Sequence, residues 1–314
     1  MPTNPEDTRW LAAAAALAER ARPLSRPNPA VAAIVVQDGV VVGRGWTGAG
    51  GRPHAEATAL EQAGVQARGA TLYVTLEPCA HQSARGPACA DLAAAAGLAR
   101  AVIAVGDPDP RTAGKGIARL NAAGVQTTLA DDPRGSASLA GYLMLREQGR
   151  PHVTLKLAMT ADGFVARPDG TSKWITGEIA RAHVHRERAR ADAILVGAGT
   201  LRIDAPRLDV RLPGLEDRCP ERLVLTQGRA PERWRAIPSP DAIRELEDCQ
   251  YLFVEGGAAT AAAFLEANLV DRILLYRAPI SFGNGLAVDL PRDWPLTDCR
   301  MLGMDTLEIF DRSR

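Results

Sequence analysis

The chain has 314 residues, 46% of them hydrophobic, and its 37 Lys and Arg residues balance 37 Asp and Glu residues. Nucleic-acid binding needs an excess of positive charge facing the phosphates, so this balance argues against a nucleic acid as the main partner. No stretch approaches the roughly 20 apolar residues that span a bilayer, and we expect no membrane partner. The length fits two domains of about 100–200 residues each.

The N-terminal segment predicts a helix and not a secretion signal. Leu11–Ala18 is rich in alanine but short, and the acidic Glu6 and Asp7 precede it. Five scattered cysteines are too sparse for the disulfide framework of a small secreted protein. These features favour a cytoplasmic location.

The first half of the chain alternates strand and helix patterns. Two apolar runs flank Gln37-Asp38-Gly39, which is typical of a hairpin turn. The predicted elements are strands Ala30–Val36 and Val40–Val42, helix Ala55–Ala63, strand Thr71–Leu76, helix Cys89–Ala96, strand Ala101–Val105, helix Gly116–Ala123 and a strand from Val125. Strands separated by helices predict a largely parallel sheet with helices on both faces.

A polar, turn-rich break at Gln148-Gly149-Arg150-Pro151 divides the chain into predicted domains 1–148 and 149–314. A second series of strands and helices follows the break. It comprises strand Val153–Met159, helix Gly177–Arg190, strands Ile194–Gly197, Leu223–Thr226 and Tyr251–Val254, helix Ala258–Ala267 and strand Ile273–Tyr276. Both halves therefore predict an α/β fold.

The strongest chemical pattern is His54-Ala55-Glu56 followed by Pro78-Cys79 and then Cys89. It matches the type of signature found in zinc nucleobase deaminases, a His-x-Glu with later cysteines. One imidazole and two thiolates supply three ligands and leave the fourth tetrahedral position to water, as a catalytic zinc requires. The metal lowers the pKa of that water, and Glu56 can carry its proton to the ring nitrogen and the departing ammonia. We therefore expect Zn²⁺ on His54, Cys79 and Cys89.

Each part of this pattern has a simpler explanation when it stands alone. A single His-x-Glu is common, and cysteines in alanine-rich surroundings are often small buried hydrophobic residues. The combination favours a zinc site, because His54 opens a helix, Cys79 follows a strand and Cys89 opens another helix. A zinc that only held loops together would take four protein ligands, and the sequence offers three convincing ones.

The first half resembles the deaminases of riboflavin biosynthesis. Nine residues separate Cys79 from Cys89, which disfavours the tRNA- and cytidine-type deaminases with closely spaced cysteines. The motifs that carry the resemblance are this insert, Pro27-Asn28-Pro29, Thr75-Leu76-Glu77-Pro78-Cys79-Ala80-His81, Asp107-Pro108-Asp109-Pro110 and Gly114-Lys115-Gly116. The resemblance implies a cytidine-deaminase-like three-layer domain that acts on a phosphoribosylaminopyrimidine. It also implies that Asn28 and Asp107 contact the pyrimidine and that Arg85 lies near the phosphate.

The second half resembles the reductases of the same pathway, which implies a dihydrofolate-reductase-like domain that uses NADPH. The motifs are Lys156-Leu157-Ala158-Met159-Thr160-Ala161-Asp162-Gly163, Ser172-Lys173-Trp174-Ile175-Thr176, the run 192–200, the run 204–208 and Val254-Glu255-Gly256-Gly257. The substrate residues that the resemblance implies are Lys156, Ser172, Trp174, Arg188, Asp204, Leu208, Arg211 and Glu255. The implied cofactor residues are Ala158, Gly197, Gly199, Thr200, Gly256 and Gly257.

Physical chemistry is compatible with this assignment. Glycines at Gly197-Ala198-Gly199 and Gly256-Gly257 follow apolar strands, where a bare backbone can approach a phosphate. Arg188 and Arg211 suit a phosphate through their paired donors. Without the surrounding motifs, the glycines would be ordinary turns and the arginines solvated surface residues.

The chain departs from the family in several places, which include one extra residue between Cys79 and Cys89 and Ala32 where a Gly is common. Thr47 stands where a His is common, and Asp109 stands where an Asn is common. The stretch from about 227 to 250 is shortened, with 27 residues between Thr226 and Val254. A strand-helix unit beside the cofactor is the part that we expect to be missing.

The sequence thus predicts a homodimeric, bifunctional enzyme with successive deaminase and reductase activities. One alternative is a deaminase alone, whose C-terminal domain serves as a dimerisation or substrate-binding module. Another is a nucleotide-binding or structural protein whose zinc site only holds loops together.

Overall fold

The computed structural model describes residues 4–81 and 86–312 and divides the chain into two compact units, Met1–Gln148 and Gly149–Arg314. Each unit has its own β-sheet and its own hydrophobic core. In the described part of the chain, no helix combines the length and the apolar character that a membrane crossing requires.

The first unit is built on a five-stranded sheet with the strand order β2-β1-β3-β4-β5. Its strands are β1 (Ala32–Gln37), β2 (Val40–Trp46), β3 (Thr71–Leu76), β4 (Arg100–Val105) and β5 (Gln126–Leu129). Its helices are α1 (Pro5–Ala18), α2 (Ala55–Ala63), α3 (Cys89–Ala95), α4 (Lys115–Ala122), α5 (Pro133–Ser138) and α6 (Ala140–Gln148).

The prediction of a largely parallel sheet is correct only for β3, β4 and β5. Asp38 and Gly39 have positive φ angles of 49° and 76°, the conformation of a two-residue hairpin turn, and Gln37 pairs with Val40. This turn makes β1 antiparallel to β2. Helix α2 connects β2 to β3. Strand β3 runs in the same direction as β2 and is therefore also antiparallel to β1.

Helices cover both faces of this sheet, as the alternation of the strand side chains requires. Val35 and Leu72 pack into the cluster that contains residues of α2 and α3. Their chain neighbours Ile34 and Tyr73 point the other way and pack with α1. The three-layer arrangement predicted for this half is confirmed.

The second unit contains an eight-stranded sheet with the order β12-β13-β11-β6-β10-β7-β8-β9. Its strands are β6 (His152–Thr160), β7 (Ala193–Gly197), β8 (Glu221–Leu225), β9 (Arg235–Ile237), β10 (Tyr251–Val254), β11 (Arg272–Ala278), β12 (Leu296–Leu302) and β13 (Asp305–Asp311). Its helices are α7 (Glu178–Arg188), α8 (Ala198–Asp204) and α9 (Ala258–Glu266). The strands from β11 to β9 are parallel, and the β12-β13 hairpin adds an antiparallel edge.

Two features of this unit differ from the sequence analysis. Strand β12 was not predicted, because it is exposed along almost its whole length and lacks the apolar alternation that marks a strand. The residues from Ala198 form helix α8 where the sequence analysis placed a glycine turn. The stretch from 227 to 250, where we expected a strand-helix unit to be missing, contains only the three-residue β9 and a 3₁₀ helix at Pro240–Glu245, with no α-helix.

Thr260 of α9 packs where strands β7 and β10 end. A Cβ atom at Gly197 would lie 2.2 Å from Thr260 Oγ1, and one at Gly256 would lie 2.5 Å from Thr260 Cβ. A Cβ atom at Gly199 would meet nothing within 4 Å. Gly197 and Gly256 are therefore required by the close approach of α9, whereas the space beside Gly199 is open.

This geometry predicts that two Gly→Ala variants respond differently to loss of the Thr260 hydroxyl. We expect Gly197→Ala to lower the free energy of unfolding by about 1–3 kcal/mol through overpacking. Thr260→Ala should rescue it, because the remaining Thr260 Cβ would lie 3.6 Å from the new methyl group. Gly256→Ala should not be rescued, because its clash is with the Thr260 Cβ itself.

The check is a pair of double-mutant cycles by urea unfolding of the full chain. Similar coupling energies for the two pairs would contradict the packing role assigned to Thr260 Oγ1.

Candidate active sites

His54, Cys79 and Cys89 meet at the ends of three elements in the first unit. His54 is the N-cap residue of α2, Cys79 follows β3, and Cys89 is the first residue of α3. Their ligand atoms lie within 4.8 Å of one another, and no other such group occurs among residues 4–81 and 86–312. His54 Nδ1 is 3.3 Å from Cys89 Sγ and 3.6 Å from Cys79 Sγ. Tetrahedral zinc with its usual bond lengths separates nitrogen and sulfur ligands by about 3.5 Å, so these residues fit zinc.

The hydrogen bond between the two sulfurs favours the thiolate of Cys79 and disfavours that of Cys89. Hydrogen bonds from the Cys89 thiol and from His54 lower the pKa of Cys79 to about 4. The pKa of Cys89 is raised, because this thiol gives its hydrogen bond to Cys79 and is buried. The backbone amide of Cys89 also donates to Cys79 Sγ at 3.3 Å. A dication placed between the sulfurs would remove their competition for one proton and favour both thiolates.

Glu56 lies in the first turn of α2, two residues after His54, and is 3% exposed. Burial raises the pKa of its carboxyl group, and the Cys79 charge acts in the same direction. The positive charge of His54 opposes this rise. A carboxyl group in this environment can hold a proton more readily than an exposed one.

Asn28 lies against the His54 ring nitrogen that faces away from the sulfurs. Its Nδ2 donates to the carbonyl of Gly51 at 2.9 Å and lies 3.1 Å from His54 Nε2. Gly51 has a φ angle of +85°, and a Cβ atom there would lie 2.6 Å from Asn28 Cγ. The structure thus shows Asn28 as a neighbour of the metal ligand.

Glu77 is a buried carboxylate to which the sequence analysis gave no role. Its Oε2 accepts hydrogen bonds from the amides of Asp107 and Gly114 at 3.3 and 3.0 Å, and its Oε1 accepts one from Ile117 at 3.1 Å. It therefore ties the loop after β4, which carries Asp107, to the loop after β3, which carries Cys79. The position of Glu77 directly before Pro78-Cys79 was the sequence signal that could have identified it.

Asp107 has a polar environment of its own. Its Oδ1 accepts hydrogen bonds from Tyr142 Oη at 2.7 Å and from the amide of Asp109 at 2.9 Å. Burial raises the pKa of the Asp107 carboxyl group against these hydrogen bonds. The Arg85 prediction falls on a residue outside the described part of the chain.

Two of the departures from the family in this unit are held by internal contacts. Thr47 Oγ1 donates to the carbonyl of Pro29 at 2.9 Å and accepts from the amide of Val31 at 3.0 Å. Asp109 forms an ion pair with Arg111 at 2.6 Å, and hydrogen bonds from Arg111 lower its pKa. Both residues thus stabilise the loops around the site.

A cavity of about 710 Å³ opens in the second unit where β7, β8 and β10 end. This volume suits a small-molecule ligand. Every residue that the sequence analysis assigned to the reductase substrate or cofactor lines this cavity. These residues are Lys156, Ala158, Ser172, Trp174, Arg188, Gly197, Gly199, Thr200, Asp204, Leu208, Arg211, Glu255, Gly256 and Gly257.

A buried ion pair forms one wall of the cavity. Arg188 Nε and Nη2 donate to the two carboxylate oxygens of Glu255 at 2.5 and 3.0 Å. Burial alone would raise the pKa of Glu255, but Arg188 and the charge of Lys156 lower it. Burial lowers the pKa of Lys156, although Glu255 opposes this shift. The paired donors that suggested a phosphate site at Arg188 are therefore occupied by Glu255.

Trp174 lies at the cavity surface and not in the core. It is 68% exposed, and the guanidinium group of Arg181 lies 4.9 Å from the centre of its ring. Beside it, Lys173 Nζ donates to the backbone carbonyl of Asp204 at 3.0 Å. This contact joins the segment that carries Ser172 to the end of α8.

His185 also lines the cavity, and the sequence analysis missed it. It lies on α7, three residues before Arg188. Residues three apart on a helix share a face, so this spacing was a usable signal once Arg188 had been chosen.

Comparison with known proteins gives two family matches. The model of the cytidine and deoxycytidylate deaminase zinc-binding region matches residues 4–105, and that of the RibD C-terminal domain matches residues 151–307. The chain is 35% identical to the riboflavin biosynthesis protein RibD of Aquifex aeolicus, over 90% of this chain and 89% of that protein. It is 40% identical to the protein of the same name from Mycobacterium tuberculosis, over 84% and 82% of the two chains.

Two solved structures are similar over nearly the whole length. Acinetobacter baumannii RibD has a TM-score of 0.84 at 31% identity and covers 98% of this chain and 99% of its own. A diaminohydroxyphosphoribosylaminopyrimidine deaminase/5-amino-6-(5-phosphoribosylamino)uracil reductase from Thermotoga maritima has a TM-score of 0.86 at 29% identity, with the same coverage. The two-domain fold class expected from the sequence is confirmed.

The contacts of Glu77 predict a stability effect. Glu77→Gln should lower the free energy of unfolding by about 1–3 kcal/mol, because an amide group replaces one acceptor oxygen in front of backbone N–H groups. Urea unfolding of the full chain measures this loss. Glu61→Gln on the exposed side of α2 is the matched control and should change nothing measurable. Equal stability of the two variants would show that the three amides do not depend on Glu77.

Proposed function

The chain belongs to the RibD family of bifunctional deaminase–reductases of riboflavin biosynthesis, and we propose how its residues divide the two reactions. The first reaction is the hydrolytic deamination of diaminohydroxyphosphoribosylaminopyrimidine, a zinc-dependent step. The second is the NADPH-dependent reduction of the ribosyl side chain to ribityl. We assign the first to residues 1–148 and the second to residues 149–314.

The observation that carries the deaminase assignment is the His54-Cys79-Cys89 cluster with the buried Glu56 beside it. These three residues would hold zinc, which would supply an activated water as the nucleophile for the amino-bearing ring carbon. Glu56 takes a proton from that water and gives it to the ring nitrogen. It then carries the proton of the new hydroxyl group to the amino group, which leaves as ammonia. Its burial supports this role, because the raised pKa lets the carboxyl group hold the proton between the two transfers.

Three further residues position the deaminase substrate in this proposal. Asp107 contacts the pyrimidine through a carboxylate that Tyr142 holds by a hydrogen bond of 2.7 Å. Asn28, whose Nδ2 lies 3.1 Å from His54 Nε2, also contacts the pyrimidine. Arg85 is the residue that we assign to the phosphate of this substrate.

In this proposal the cavity of the second unit takes NADPH and the phosphorylated substrate. The open space beside Gly199 and the start of α9 after Gly257 offer backbone amides to the cofactor phosphates. NADPH supplies the reducing equivalents when it is bound. The substrate lies in this proposal against Lys156, Glu255 and Arg211.

We also infer that the protein is a cytoplasmic homodimer. Strand β12 and its turn expose Leu296, Met301 and Met304 at 53%, 62% and 77%, a surface suited to a second copy. The five cysteines are too few and too scattered for a disulfide framework, which supports a reducing compartment. Analytical ultracentrifugation tests the dimer.

The role of Glu56 gives a direct prediction. Glu56→Gln should keep zinc and lower the deamination rate by at least about a hundredfold, because an amide cannot shuttle the proton. Elemental analysis and product detection by mass spectrometry measure the two quantities. Cys79→Ser and Cys89→Ser should each lose the metal. Rapid deamination by the zinc-loaded Glu56→Gln protein would refute the shuttle.

The decisive experiment for the whole assignment is mass spectrometry of the product formed with and without NADPH. We expect the amino group to be replaced by oxygen in both reactions and two hydrogens to be added only with NADPH. Deamination without reduction would favour the alternative of a deaminase whose C-terminal unit does not reduce. The short connection between β8 and β10 is the feature that favours this alternative.

A further inference from the structure

The position of His185 at the cavity wall defines the tautomer of its neutral ring. Its Nδ1 lies 3.0 Å from the backbone carbonyl of Asp209. A carbonyl oxygen can only accept, so Nδ1 carries the proton of the neutral ring and Nε2 carries the lone pair. Among residues 4–81 and 86–312, no hydrogen-bond partner of Nε2 is found.

Burial and the nearby positive charges favour the neutral ring of His185. Burial lowers its pKa, and the positive charges of Arg188 and Arg211 act in the same direction. The carbonyl and the carboxylate of Asp209 oppose this shift. Glu255 faces the ring from the end of β10 but is paired with Arg188. The imidazole therefore stands beside two fixed cations, whose field disfavours a third.

The two arginines are not fully available to a ligand. Arg188 is bound to both oxygens of Glu255, and its Nη1 donates to the carbonyl of Asp209 at 3.1 Å. Arg211 Nε lies 3.3 Å from the carboxylate of Asp209. Each arginine thus already faces a carboxylate. The two arginines would therefore not fully neutralise a phosphate dianion bound between them.

We propose that His185 takes up a proton when a phosphate monoester binds beside Arg188 and Arg211, and so becomes the third cation of the phosphate site. This inference rests on the proposed function of the cavity as the site of the phosphoribosyl substrate. The negative charge of the phosphate reverses the field at the ring and favours imidazolium. Nε2–H then donates to a phosphate oxygen, while Nδ1–H stays on the carbonyl of Asp209.

The pH dependence follows from the direction of this change. His185 has a higher pKa in the complex than in the free protein. Binding is therefore strongest below the pKa of the free ring and weakens as the pH rises through the pKa of the complex. At pH 7.5 a phosphate monoester is already a dianion, because its second pKa is about 6, so the ligand itself does not take up the proton.

The test is calorimetric titration of the full chain with ribose 5-phosphate as the probe. At pH 7.5, buffers with different ionisation enthalpies report the number of protons taken up on binding. The wild-type protein should take up a substantial fraction of one proton, and its affinity should fall as the pH rises from 6.5 to 8.5. His185→Asn keeps a donor for the carbonyl of Asp209 but has no charge. It should take up no proton, and its affinity should not change between pH 6.5 and 8.5. Wild-type binding should therefore be up to about tenfold stronger than that of the variant at pH 6.5, and this advantage should disappear at pH 8.5.

His183→Asn is the matched control on the same helix. His183 Nδ1 lies 2.8 Å from Tyr276 Oη and its Nε2 lies 3.2 Å from Arg300 Nη2, and burial lowers its pKa as well. His183 does not line the cavity. This variant should bind ribose 5-phosphate with the proton uptake of the wild-type protein.

The outcomes separate this inference from the proposed function. Binding of ribose 5-phosphate without proton uptake by the wild-type protein, uptake that persists in His185→Asn, or no binding at all would overturn the role of His185. Turnover of the deaminated substrate with NADPH is assayed separately and decides the reductase assignment. Because uptake by the wild-type protein is measured directly, the test does not depend on whether His185→Asn folds.

Discussion

Parallel strands end at the same edge of their sheet, and both sites depend on this constraint. In the first unit, Cys79 follows β3 and Asp107 follows its parallel neighbour β4. In the second unit, Gly197 ends β7 and Glu255 follows the adjacent β10. The direction of the strands alone therefore brings residues that are far apart in the chain close together. The short contacts described above refine an arrangement that strand direction has already produced.

The elements that could be predicted are those whose apolar residues recur on one face of a helix or form an unbroken run in a strand. Helix α2 and strands β3 and β10 have the predicted bounds, because their apolar residues face a core. Strand β12 was missed because its pairing with β13, and not burial, holds it. The metal ligands were predictable for a different reason. Imidazole and thiolate are rare in combination, so residue type and order alone identify them.

The contacts that could not be predicted are those that loops create between distant positions. Glu77 reaches three amides across the loop after β4, and no pattern in the sequence specifies that conformation. The pairing of Arg188 with Glu255 is similar, because 66 residues separate them in the chain. The role of the glycines was also ambiguous in the sequence. A bare backbone can admit a phosphate or a neighbouring helix, and only the position of Thr260 shows that Gly197 serves the helix.

Burial acts on the proton-carrying groups of the two units with opposite sign. A carboxyl group is neutral when it is protonated, so burial raises the pKa of Glu56 and favours the protonated form. An imidazole is neutral when it is deprotonated, so the same physical effect lowers the pKa of His185 and favours the deprotonated form. Burial thus favours the uncharged form of both groups. In our proposal, Glu56 reaches that form when it accepts the proton of the water, and His185 leaves it when the ligand brings negative charge.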